Sequence, residues 1–136
     1  MPLKVLVVDD EERILQICEY FLRGEGYEVL STRDAKQALE IAARERPDLV
    51  VSDVVMPAMG GYQFAKELRL QEALSATPVL FLSAKVEIPD LFFEHFKGVG
   101  DFLIKPFKKQ DLLQKVRDLL ARAGAPEAKK GEEETP

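Results

Sequence analysis

Five short runs of this 136-residue chain are apolar at consecutive positions rather than at every second one. They are residues 4–8 (KVLVV), 27–31 (YEVLS, the weakest), 49–51 (LVV), 79–82 (VLFL) and 102–104 (FLI). Uninterrupted aliphatic and β-branched runs of this length predict strands covered on both faces. Between them the apolar residues change to helical spacing. Ile14, Ile17, Cys18, Phe21 and Leu22 predict a first helix, stopped by Gly24 and Gly26; Ala35, Ala38, Leu39 and Ala42 predict a second, capped by Asp34. A third is expected over 61–72 with Phe64, Ala65 and Leu68 inward. A short aromatic one is expected within 86–97 after Pro89, and a last one carries Leu112, Leu113, Val116, Leu119 and Leu120.

Five strands alternating with five helices imply an α/β fold: a parallel sheet with helices on both faces, joined by right-handed crossovers. All the carboxyl ends of the strands then open on one edge. The periodic pattern covers residues 1–123, read as one domain. Residues 124–136 lack an apolar face; from Ala125 on they hold four Glu against two Lys, and they read as a disordered charged tail or linker stub.

Composition narrows the function. Hydrophobic residues make up 46% of the chain, enough for a core, and the net charge is -5 with no dense basic stretch, which argues against direct nucleic-acid binding. Cys18, the single cysteine, falls in an apolar helical stripe and reads as a core residue. No run approaches a membrane span and the N-terminus lacks a signal-peptide pattern, so a cytoplasmic protein without membrane partners is expected.

The common edge of the sheet gathers Asp9 and Asp10 after strand one, Asp53 after strand three, Ser83 after strand four and Lys105 after strand five. Carboxylates brought together repel one another, so either their proton affinities rise or a cation joins them. Hard oxygen ligands suit Mg²⁺, and with no His/Cys set zinc is excluded. A divalent ion, an ammonium and a hydroxyl together stabilise anions and suit a phosphoryl group. Asp53, on the central strand, is then the candidate nucleophile, forming an aspartyl phosphate.

In order along the chain, the Asp9-Asp10 pair, Asp53 followed by Met56-Pro57 and Gly61, Ser83-Ala84, and Lys105-Pro106-Phe107 resemble the motifs of a response-regulator receiver domain of two-component signalling. The resemblance spans about residues 3–122. It implies a flavodoxin-like sheet with strand order 2-1-3-4-5, which sets the acid pair beside Asp53. It implies a switch that accepts a phosphoryl group on Asp53 from a sensor histidine kinase or phosphotransfer protein. Such a switch phosphorylates and dephosphorylates itself without being a turnover enzyme.

Position by position, Asp53 resembles the phosphoacceptor, Asp10 the direct Mg²⁺ ligand and Asp9 the acid acting mainly through metal-bound water, with the backbone carbonyl of Val55 completing the set. Lys105 resembles the lysine that contacts the phosphoryl oxygens, aimed by a cis Lys105–Pro106 bond, and Ser83 and Phe102 resemble the switch pair. Output is then read at the face of the fourth helix, fifth strand and fifth helix, by an output domain, a partner protein or a second copy of the chain. Phe92, Phe93 and Phe96 are too many aromatics for the buried side of so short a helix, and at least one is expected on that partner face. His95 reads as a surface residue, and Glu11 and Glu12 as acids that suit the dipole of the first helix. The chain departs from the pattern at Ala35, where Gly is common, and at Gly60, where an acid is frequent. Two rivals fit less well. A flavodoxin-like ligand-binding module would want a Gly/Ser/Thr phosphate loop after strand one. An Asp-nucleophile phosphatase would want a D-x-D motif, and neither Asp9-Asp10-Glu11 nor Asp53-Val54-Val55 supplies one.

Overall fold

The computed structural model describes residues 2–56, 59–84 and 100–124. Pro57, the aromatic segment with Phe92, Phe93, His95 and Phe96, and the tail from Ala125 lie outside the described residues. Five parallel strands, β1 (Lys4–Val8), β2 (Glu28–Thr32), β3 (Leu49–Asp53), β4 (Val79–Ser83) and β5 (Gly100–Ile104), form one sheet in the order β2-β1-β3-β4-β5. Four α-helices are described: α1 (Glu12–Gly24), α2 (Ala35–Glu45), α3 (Gly61–Arg69) and α4 (Lys109–Arg122).

The consecutive apolar runs are explained by the pleat, which sends alternate side chains to opposite faces. Val5 and Val7 of β1 join Leu49, Val51, Leu80, Leu82 and Leu103 under α1 and α4. Leu6 and Val8 join Val50, Val79, Phe81 and Phe102 under α2 and α3. Both parities are buried, so neither could be polar. The sheet starts at β1, steps outward to β2, then returns past β1 to β3, so the carboxyl ends of β1 and β3 flank the switch point where such sheets bind ligands.

Three details differ from the sequence pattern. In α1 the fully buried side is Leu15, Cys18 and Leu22, while Ile17 is 37% exposed. Ile14 and Phe21 pack only against the margin of that core, so the stripe turns one position from the pattern read off the isoleucines. Helix α3 ends at Arg69 rather than continuing to residue 72, and a 3-10 turn, Glu72–Leu74, follows. An unbroken helix would carry Leu74 off the face of Phe64, Ala65 and Leu68. The extended backbone at Gln71 breaks it and brings Leu74 to 2% exposure. Strand β5 begins at Gly100, two residues before its apolar run, because it pairs along the whole of β4 from Val79.

Asp34 caps α2 through its carboxylate, which accepts from the Gln37 N–H at 3.3 Å. Asp34→Ala is expected to cost about 1 kcal/mol, read as a lowered denaturation midpoint with unchanged slope.

Candidate functional site

The carboxyl ends of the strands and the loops that follow them set the site. The Asp9 N–H donates to the Thr32 carbonyl at 3.3 Å, and Asp9 itself is fully buried. Asp53 is the last residue of β3, opposite Leu82, and its side chain is 10% exposed. Asp9, Asp10 and Asp53 each bring a carboxylate oxygen within 4.8 Å of the others. From the end of β5, Lys105 reaches them: its Nζ lies 3.1 Å from Asp9 Oδ2 and 3.5 Å from Asp53 Oδ1. Its backbone N–H donates to the Ser83 carbonyl at 2.8 Å, and the Lys105–Pro106 peptide is cis. Ser83 is buried at the end of β4.

Burial dominates the electrostatics. It pushes the Asp53 carboxyl up to about 6; the charge of Asp9 adds to this, and Lys105 and the Val55 N–H oppose it. Burial also raises Asp9, against a hydrogen bond from the Glu11 N–H at 2.9 Å and against Lys105. The ammonium of Lys105 is disfavoured by burial, but Asp9, Glu11 and Asp53 outweigh that and hold it above the usual lysine range. Burial drives the Cys18 thiol up to about 12, as suits an inert core residue.

The donor set fits a hard divalent cation. Three carboxylates face one ammonium, and the buried Asp9 Oδ2 has no hydrogen-bond partner, because its approach to Lys105 misses hydrogen-bond alignment. Three carboxylates against one ammonium leave excess negative charge at a largely buried site, which a divalent cation would balance.

The chain matches the family model of the response regulator receiver domain over residues 5–117. It belongs to that family.

The alkaline phosphatase synthesis transcriptional regulatory protein PhoP of Bacillus subtilis (strain 168) is 38% identical over 90% of this receiver and 50% of its own length. The receiver spans about half the length of the curated relatives it matches. Among solved structures, the chemotaxis protein CheY4 of Vibrio cholerae superposes with a TM-score of 0.79 at 36% identity, covering 88% of this chain and 99% of that one. The receiver domain of the sensor histidine kinase PA1611 from Pseudomonas aeruginosa PAO1, with a magnesium ion coordinated in its active site cleft, superposes at 0.76 with 29% identity, covering 89% and 99%. Among the described residues no helix is long and apolar enough to cross a membrane.

Two residues of the site were not legible as such. Glu11, read as a helix-dipole acid, makes no side-chain cap on α1; its carboxylate lies 3.1 Å from Lys105 Nζ. Arg33, in the loop after β2, donates twice to the Asp10 carbonyl, at 2.9 and 3.1 Å, and pairs with Glu12 at 3.7 Å. It ties the acidic loop to the neighbouring strand. Phe102 is buried against Phe81 and Tyr62, with ring centroids 5.5 and 6.2 Å away.

Proposed function

We propose that this receiver is a phosphorylation switch that takes a phosphoryl group on Asp53 from a phosphohistidine of a sensor kinase or phosphotransfer protein, or from a small acyl phosphate. The reading is supported above all by the convergence of Asp9, Asp10 and Asp53 around one ammonium, Lys105. A carboxylate oxygen of Asp53 attacks phosphorus. The bond from phosphorus to the donor's nitrogen or acyl oxygen breaks, and the leaving group keeps the electron pair. With its carboxyl at about 6, Asp53 is mostly ionised at neutral pH and ready for attack. Lys105 holds the developing charge on the phosphoryl oxygens from a partly dry position, where an ammonium is worth most. Mg²⁺, held by Asp9, Asp10, Asp53 and the Val55 carbonyl, would supply further neutralisation of those oxygens.

In the phosphorylated state the Ser83 hydroxyl turns toward the phosphoryl group and the Phe102 ring moves into the space released. Phe102 sits on the edge strand β5 with its ring packed on the α2 and α3 side, so a change in its packing alters the face along that edge. That face is read by an output domain, a partner protein or a second copy, with Phe92, Phe93 and Phe96 as candidate contacts. Transcriptional control is one output in keeping with PhoP. Residues 1–123 form the receiver, in a cytoplasmic protein.

The test is intact mass after incubation with Mg²⁺ and acetyl phosphate. Gain of one phosphoryl group, mapped to the peptide carrying Asp53 and abolished by EDTA, is expected. No gain, or a phosphoryl group on another residue, overturns the reading. Steady multiple turnover of a phosphomonoester would point to a phosphatase instead.

A further inference from the structure

Lys105 has three N–H donors and three carboxylates around it: Asp9 and Glu11 at 3.1 Å and Asp53 at 3.5 Å. Of the three contacts, the one with Glu11 is the aligned hydrogen bond, so a phosphoryl oxygen on Asp53 competes with a carboxylate for the ammonium. The three differ in what yielding costs. Asp9 is fully buried, and losing the ammonium would leave a charge with no access to water. Asp53 becomes the phosphorylated group itself. Glu11 has a side chain 60% exposed, so water replaces the lysine readily. Its carboxylate serves no helix cap, and its backbone N–H holds Asp9 Oδ1 whatever the side chain does.

We infer that Glu11 is a positioning residue that competes with the incoming phosphoryl group for Lys105, so that its ion pair slows phosphorylation and is given up when Asp53 is modified. This rests on the phosphorylation reading above. In the unmodified receiver Glu11 holds Lys105 partly away from Asp53. Once acetate leaves and the P–O bond to Asp53 has formed, the donor aimed at Glu11 turns to a phosphoryl oxygen and Glu11 is hydrated. The Glu11–Lys105 pair joins residues 94 positions apart, which ties the start of α1 to the end of β5.

The experiment compares initial rates of phosphoryl gain from acetyl phosphate, with saturating Mg²⁺, in the wild type, Glu11→Gln, Glu11→Asp and Glu12→Gln. Glu11→Gln is expected to be about two- to fivefold faster, the range set by an exposed ion pair. Glu11→Asp, which keeps the charge one methylene back, falls between it and the wild type. Glu12→Gln removes the same charge one residue on, from a carboxylate paired with Arg33 instead, and leaves the rate near wild type. Equal acceleration in both glutamine variants would mean a general field effect and overturns the inference, as does an unchanged or slower Glu11→Gln. A merely structural Glu11 would shift melting temperature without this ordering of rates. If the wild type gains no phosphoryl group, the phosphorylation reading fails and the competition falls with it.

Discussion

Asp53→Asn is expected to abolish phosphoryl uptake and, with no metal bound, to make the protein more stable at neutral pH. The two effects share one cause. Asp53 is nearly enclosed, beside the buried carboxylate of Asp9, and its carboxyl is raised from 3.8 to about 6 by burial first and by Asp9 second. Between those values the folded protein binds a proton that the unfolded chain does not. Stability is therefore greatest below the unfolded value and is lost as pH rises through about 6. At pH 7 the ionised carboxylate is a net cost on the order of 1–3 kcal/mol, which an uncharged amide of the same shape avoids. Thermal melts of both proteins in EDTA from pH 4 to 8 test this. The wild type should fall relative to Asp53→Asn across pH 4–6, and the gap should then hold constant. Added Mg²⁺ should raise the wild type more than the variant, because a ligand stabilises only the state that binds it. A gap that is absent, or that widens toward acid, would contradict the assigned burial of Asp53.

Gly61→Ala is expected to be the most disruptive small substitution near the site, costing about 3 kcal/mol or more. A Cβ at Gly61 would lie 2.2 Å from the Asp53 carbonyl oxygen and 3.0 Å from the Val54 Cα, both backbone atoms that cannot turn aside. The Gly61 N–H donates to the Val54 carbonyl at 2.8 Å, so the first residue of α3 lies directly on the end of β3. Relieving the clash means lifting α3 or shifting the peptide that carries Asp53. The variant should lose stability in urea and lose phosphorylation rate as well, even under conditions where it is folded. Gly60→Ala meets only the Val54 carbonyl, at 3.3 Å, and should cost little, while a Cβ at Gly24 meets nothing within 4 Å. Gly24→Ala should be neutral or slightly stabilising. A Gly61→Ala protein as stable as those two would show that the contact is not a constraint.

The part of the site that was legible in the sequence is the part carried by strand ends. A run such as LVVSD puts a carboxylate at the edge of a sheet by local pattern alone, and the same holds for Asp9, Ser83 and Lys105. Residues whose roles depend on reach across the edge were not legible. Glu11 has the same neighbours in sequence as any first-turn acid, and Arg33 the same as any loop arginine. Nothing local tells that one meets Lys105 and the other the Asp10 carbonyl. The face of α1 was misread for a related reason: Ile14, Ile17 and Leu15 are all apolar, and only the position of the sheet and α4 selects Leu15 for burial.

The sequence by itself determined that there are strands with both faces buried, helices between them, and acids and a lysine at one edge. Those follow from side-chain polarity and period, which are local. The tertiary structure alone decided how closely the groups meet and which others join them. Strand order and register bring β1 beside β3, enclose Asp9 completely, and divide one ammonium among three carboxylates. The physical reason is that charge burial and ion pairing depend on distances of a few ångströms between residues far apart in the chain, and those distances exist only once the sheet has closed.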